Sequence, residues 1–277
     1  MGGKHSMNEL FWDRFSAADI DEPNWNHLTA AALSELAADG AVVLVPVGST
    51  EQHGRHLPTG VDAFLAAEVC RRAAFLVQGR CPVVVTPSVW WGMSEHHMAF
   101  GGTLTLSLST LHALLRDLCR SILRAGFRRI LLVNGHGGNV AALNAIVTEL
   151  TTELQARIGV TSYFTVGRQV VRETLETQDA LMHACEGETS MMLAVHRGLV
   201  RTEELPNAVG PRIVSPAVSQ DPVYFAVPFD EITGSGVAGD ARAASAAKGR
   251  KLLEGCAQAL ADRLADGLWT EDGRRPR

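Results

Sequence analysis

No apolar run in this chain is long enough to cross a bilayer; the best of them, residues 130–133, has the length of a strand. No block of like charge marks a tail or a polybasic anchor. The formal net charge is −5, whereas a nucleic-acid surface should read basic. Membranes and nucleic acids are therefore excluded as expected partners. The five cysteines (Cys70, Cys81, Cys119, Cys185 and Cys256) are odd in number and form no C-x-x-C pair. They read as reduced, mostly buried thiols of a cytoplasmic protein. Residues 1–8 lack the apolar core of a signal peptide, and are expected to be disordered or a cloning remnant. There is no internal repeat and no low-complexity linker, so one domain over residues 1–277 is expected.

What is present suits a globular protein. Hydrophobic residues make up 46% of the 277, charged residues 20%, and that length can bury a sizeable core. Strand-like and helix-like segments alternate, the mark of an α/β layer fold. Residues 41–47 (AVVLVPV), 82–87 (PVVVTP) and 129–133 (RILLV) are short, valine-rich or leucine-rich runs that read as buried strands. Residues 160–166 (VTSYFTV) read as a fourth strand and 105–108 as a short one. Helices are expected over 61–77, 109–125 with Ser109 as N-cap, 140–158, 188–197 and 241–268. Residues 206–239, rich in proline and glycine, read as long functional loops.

The chemistry-bearing residues leave the strand ends, where open α/β sheets bind ligands. The segment GSTEQHGRHLPTGVD (48–62) offers Glu51, His53, His56 and Asp62, a mixture of carboxylate and imidazole that suits zinc or manganese. The segment VNGHGGN (133–139) surrounds His136 with glycines. It reads either as an anion cradle or as space for a histidine at a crowded metal centre, although its spacing fits neither the dinucleotide fingerprint nor the P-loop. In HACEGETS (183–190), Glu186 and Glu188 are acidic first-turn residues of a helix. With His183 they can equally supply a metal ligand and a general acid or base. Cys185 reads as a structural thiol, and neither it nor Ser190 sits in a G-x-S-x-G elbow. In SVWWGMSEHHMAFGGT (88–103), Trp90 and Trp91 can wall a small-molecule pocket, and His96 and His97 can touch substrate.

Taken in order, GSTEQHGRHLP with Asp62, GMSEHH with GGT, VNGHGGN, HACEGETS and GVAGDARAASAAKGRKLLE resemble the creatininase (creatinine amidohydrolase) family over residues 42–254. The resemblance implies a three-layer αβα sandwich with a mainly parallel central sheet. It implies two divalent ions per chain, Zn2+ and/or Mn2+ with Fe2+ as an option, and hydrolysis of an amide C–N bond in a small cyclic or formylated substrate. It also implies a homo-oligomer, with hexamers known. Carried over by position, Glu51, His53, Asp62 and His136 match metal ligands, with Asp62 bridging. His183 and Glu188 match catalytic or near-catalytic positions. From their place in the 88–103 loop, Trp90, Trp91, Ser94 and His97 are the expected substrate contacts.

Three positions depart from the pattern. Gly138 stands where creatininase has a glutamate that binds the second metal, and Glu186 is the expected replacement ligand. Cys185 replaces the usual glycine, and Gly101 stands where proline is common. The NGHGGN form is that of other branches, among them formamide hydrolases and a peptidase of a redox-peptide pathway. A non-catalytic metal-binding regulatory homologue is the alternative from a different class.

Overall fold

The computed structural model describes residues 23–213, 223 and 225–268; residues 1–8 lie outside that set. In chain order the elements are α1 (Ala30–Ala38), β1 (Val42–Val47), α2 (Val61–Leu76), β2 (Val83–Val85), α3 (Leu108–Arg124), β3 (Arg129–Asn134), α4 (Val140–Glu153), β4 (Ile158–Ser162), α5 (Tyr163–Val166), α6 (Arg168–Thr174), α7 (Glu186–Val195), α8 (Phe229–Ile232) and α9 (Ala246–Ala265). The four strands form one all-parallel sheet in the order β2-β1-β3-β4.

Side chains alternate across a strand, and here the alternation divides the core in two. Val42, Leu44, Leu131 and Val133 face one side, where they pack with α2, α7 and α9. Val43, Val45, Ile130 and Leu132 face the other, against α3 and α4, with Leu33 and Leu36 of α1 alongside. Both faces are covered, which is why the strands read as continuous apolar runs. The expected three-layer αβα sandwich is what the chain forms. Pro46 is accommodated in central β1 because it lies beyond Leu44, the last residue paired with β2.

Several boundaries move. The fourth strand runs over Ile158–Ser162, and the rest of the expected strand, Tyr163–Val166, is a helical turn. Ser162 accepts a hydrogen bond from the Asn134 amide at 3.0 Å, and the Tyr163 ring enters the core; that packing outweighs the strand propensity of YFTV. α4 stops at Glu153 because Gln155 takes a positive φ of 49°. The N-cap of α3 is Ser107, not Ser109: its hydroxyl accepts from the Thr110 amide. Residues 105–108 make no strand; Thr105 has only an isolated bridge to Gly92. α7 and α9 press together closely at Gly249, where a Cβ would stand 1.8 Å from the Ser190 carbonyl oxygen.

Candidate metal centre

The carboxyl ends of β1 and β3 deliver the first candidate ligands. β1 runs into the loop bearing Glu51 and His53, and β3 runs into Gly135 and His136. Between them α2 starts, with Asp62 in its first turn. A Cβ on Gly135 would lie 2.4 Å from the Asp62 carbonyl oxygen, so only glycine lets the end of β3 come this close to α2. Asn134 and Asn139 knit the loops together. The Asn134 amide donates to the His136 carbonyl (2.7 Å), and the Asn139 amide donates to the Gly48 carbonyl (3.0 Å) while its oxygen accepts from Met93 N–H (2.9 Å).

The result is a buried cluster. Glu51, His53, Asp62, His136 and Glu188 are all less than one-tenth exposed. Ligand-bearing atoms gather in three overlapping sets: His53, Asp62 and Glu188; Glu51, Asp62 and His136; and Glu51, His97 and His183. Asp62 belongs to the first two. His53 Nε2 stands 3.2 Å from Asp62 Oδ1 and 3.9 Å from Glu188 Oε2. His136 Nδ1 stands 3.1 Å from Glu51 Oε1 and 3.2 Å from Asp62 Oδ2.

Proton positions follow from the backbone. His53 Nδ1 lies 3.1 Å from the Glu51 carbonyl oxygen, which can only accept, so Nδ1 carries the proton. Nε2 faces Asp62 and Glu188, and in a neutral ring it would present its lone pair there. His136 is the mirror case: Nε2 donates toward the Met93 carbonyl at 3.2 Å, and Nδ1 faces the carboxylates. Both histidines are oriented as metal-ligating histidines usually are, by a hydrogen bond on the far nitrogen. Glu51 Oε1, His53 Nε2 and Asp62 Oδ2 are buried with no hydrogen-bond partner. Buried lone pairs facing one another are costly unless a cation lies between them. Ligands bound at the 2.0–2.1 Å typical of zinc are about 3.3 Å apart at the corners of a tetrahedron, the spacing seen here. The donor set fits divalent ions.

The electrostatics of the cluster show the same concentration of negative charge. Burial alone would lower His53, but Asp62, Glu188 and Glu51 carry it up to about 9. Burial would lower His136 as well, and the charges of Glu51 and Asp62 set it well above its ordinary range. Burial, joined by the Asp62 charge, pushes Glu188 up to about 8 against the pull of His53. Three carboxylates share a small buried volume and recruit positive charge from whatever carries it. The histidines further out behave oppositely: burial drives His97 down to about 3 and His183 well below its usual value.

Other expected residues land differently. Glu186 lies in the first turn of α7 but outside the cluster. Its carboxylate accepts from the backbone N–H groups of Glu176 and Thr177 and from the Thr177 hydroxyl, and pairs with Lys248. The reading of Glu186 as replacement ligand is corrected: Glu188 stands with His53 and Asp62 instead. At Gly138 a Cβ would meet His136 Nε2 at 2.4 Å, His96 Cε1 at 2.7 Å and the Met93 carbonyl oxygen at 2.8 Å, so a side chain there would require these neighbours to shift. Ser94 was expected to touch substrate. It is buried, and its hydroxyl donates to Glu51 Oε2, so it orients a ligand. His97 is buried too, its Nε2 3.3 Å from Glu51 Oε1 and its ring stacked on His183 at 4.3 Å. Trp90 packs edge-on against Phe64 of α2 at 5.2 Å, and Trp91 is exposed.

The aromatic cover comes from a residue that pattern reading missed. Phe229, in the short α8 inside the long 206–239 segment, lies 4.4 Å from the His97 ring and 4.9 Å from the His183 ring. Only the length of that segment hinted at it. Gln52 was also missed, an amide hidden between two obvious ligands. His56 is near the centre but its Nε2 bonds the Thr189 hydroxyl at 2.9 Å.

The family model described as "Creatininase: Creatinine amidohydrolase" matches residues 26–264. The chain belongs to the creatininase family. It is 30% identical over 255 residues to the mycofactocin precursor peptide peptidase of Mycobacterium ulcerans (strain Agy99), covering 90% of this chain and 93% of the relative. It is 30% identical over 266 residues to the creatinine amidohydrolase of Pseudomonas putida, covering 89% and 96%. A crystal structure of creatininase superposes with a TM-score of 0.75 at 28% identity, covering 88% of this chain and 97% of that one. A point mutant of creatininase described as "Zn-Zn type" gives 0.74 at 28% identity, and "Creatininase Mn" gives 0.74 at 27%; each covers 88% of this chain and 98% of the other. As a creatininase-family chain it is a hydrolase by kinship, and its buried cluster of carboxylates and imidazoles is able to bind metal. Among the described residues, no helix is long and apolar enough to cross a membrane.

Proposed function

We propose that this chain is a metal-dependent amidohydrolase, with Glu51, His53, Asp62, His136 and Glu188 holding two divalent ions and Asp62 shared between them. The observation that carries the reading is the convergence of buried, unpartnered Glu51 Oε1, His53 Nε2 and Asp62 Oδ2. Charge supports the number. Three carboxylates leave one ion short of balance and two in slight excess, which suits a site that must stabilise a negative oxygen. Carboxylate and imidazole together accept Zn2+, Mn2+ or Fe2+.

Bound there, such ions supply Lewis acidity, which brings the ionisation of water toward ~7 and polarises an amide carbonyl. The chain supplies the proton traffic. His183 holds a proton on Nε2, 2.7 Å from the Gln52 carbonyl oxygen, and its Nδ1 lies 3.4 Å from Glu51 Oε1, facing the cluster. Nδ1 is the atom that takes a proton from the attacking water and passes it to the leaving nitrogen. General acid–base work of this kind contributes ~10²–10⁴-fold. Phe229 covers His97 and His183 and keeps bulk water off them.

The substrate is an amide, and two classes compete. A small cyclic amide or formamide is the reading from the creatinine-cleaving relative. A peptide bond is favoured by the relatives named as mycofactocin precursor peptide peptidases, and by Gly138, which stands in place of the glutamate of the creatinine-cleaving pattern. Elemental analysis of the purified protein, followed by assays on lactams, formamides and short peptides, tests both steps. Two ions per chain and turnover of one class are expected. Less than one ion per chain, not restored by added metal, would remove the reading.

A further inference from the structure

The third atom cluster, Glu51 with His97 and His183, has the composition of another metal site. Whether it is one depends on where two histidine protons sit, and the backbone around Gln52 decides that.

The Gln52 side chain can be oriented without ambiguity. Its Oε1 lies 2.9 Å from the Gly54 backbone N–H, a group that can only donate. The other end of the amide is therefore the NH2 group, with two hydrogens to give. That nitrogen has three neighbours: the Gly236 carbonyl oxygen at 3.1 Å, His97 Nδ1 at 3.0 Å and His183 Nε2 at 3.0 Å. His183 Nε2 is removed from the count, because it lies 2.7 Å from the Gln52 backbone carbonyl and must donate to it. Two hydrogens remain for two acceptors, Gly236 O and His97 Nδ1.

The rest follows. His97 accepts at Nδ1, so its proton is on Nε2, the atom 3.3 Å from Glu51 Oε1. A nitrogen that carries a proton cannot ligate a metal. We propose that Gln52 is a positioning residue: its side-chain amide holds the His97 proton on Nε2, the nitrogen beside Glu51, so that His97 is not a third-ion ligand, and its bond to Gly236 clamps the loop that fixes His183. The second half has its own connection. Ala238 N–H, two residues beyond Gly236, donates to the His183 carbonyl at 2.9 Å. One amide thus joins the β1 loop, the His97 segment and the 236–238 loop, which in turn holds the lead into α7 through Ala238. The backbone carbonyl of the same residue holds the His183 proton on Nε2 and leaves Nδ1 toward the cluster. The clamp on His183 rests on the proposed proton-carrying role of that residue; the assignment of His97 does not.

Long-range 1H–15N correlation spectra of the histidine side chains in the zinc-loaded protein test the inference. The expected spectrum has His97 protonated on Nε2 alone. A His97 protonated on Nδ1 overturns it, and this measurement needs no variant. In Gln52→Glu the carboxylate can only accept, so the His97 proton should move to Nδ1; an unchanged tautomer also overturns the proposal. Against whichever amide the protein turns over, Gln52→Glu should lower kcat by ~10–100-fold, the usual cost of losing a partner that orients a ligand, with KM within about 3-fold. An unchanged kcat would remove the clamp. If no amide is hydrolysed at all, the proposed reaction falls while the His97 tautomer is still decided by its spectrum.

Discussion

Glu186 and Glu188 stand two residues apart on one helix and live in opposite electrostatic worlds. At 3.6 residues per turn they point about 200° apart. Glu186 faces α9 and meets Lys248. Glu188 faces α2 and meets His53 and Asp62, and it accepts the Ala184 N–H as well. Burial would raise Glu186, but Lys248 and the Thr177 bonds hold it below its ordinary value, whereas Glu188 is pushed up to about 8. The comparison teaches that one helix can carry an acid paired to the scaffold on one face and an acid turned into the buried cluster on the other.

The strongest way to break the comparison is Glu188→Gln. It should reduce metal content toward one ion per chain and lower kcat/KM by at least ~100-fold, beyond the cost of an outer-shell partner. Elemental analysis with steady-state kinetics checks both, and an undiminished ion count would return Glu188 to the scaffold. Next comes Glu186→Leu, which breaks a buried pair and should cost about 3 kcal/mol, with ion stoichiometry unchanged. Adding Lys248→Met should recover only the share that comes from the unpaired lysine, since the Glu176 and Thr177 N–H groups still lack their acceptor. Denaturant melts measure the cycle, and metal loss in Glu186→Leu would mean the two faces are not separate.

The smallest effect, and the finest test, is in pH. The folded value of Glu186 lies below the ordinary ~4.3, so its stabilisation is present above that pH and fades as pH falls through the folded value. Glu188 in chelator-stripped protein should behave in reverse: its folded value is raised, so stability is full below ~4.3 and is lost as pH climbs toward about 8. Stripped Glu188→Gln should therefore gain on stripped wild type at alkaline pH, while Glu186→Gln should lose to wild type at neutral pH and converge with it in acid. Urea melts at pH 4, 6 and 8 separate the two signs.

Much of this was legible in the sequence. β1 and β3 announce themselves as apolar runs, and the polar loops that leave them hold Glu51, His53, Asp62 and His136, which the structure brings together. Local pattern failed where long-range packing decided. YFTV becomes a helical turn because Tyr163 is drawn into the core. Phe229 reaches His97 from about 130 positions away, with no local signal. Glu186 looked like a ligand because its distant partner, Lys248, is 62 residues further on. Ser94 and Gln52 act through hydrogen bonds to residues distant in sequence that no spacing rule predicts.

The contact of Gly249 with the Ser190 carbonyl has a consequence for the order in which the protein comes apart. Ser190 follows Glu188 by two residues, and α9 lies over this stretch with no gap to admit solvent. Opening the turn that carries Glu188 requires lifting α9, which packs on α2 as well. Amide protons of α7 around Glu188 should thus exchange only through the largest unfolding events, alongside those of α9, while the Phe229 segment exchanges by small local openings. Metal-holding geometry and global cooperativity are mechanically one unit, and the cover above them is another.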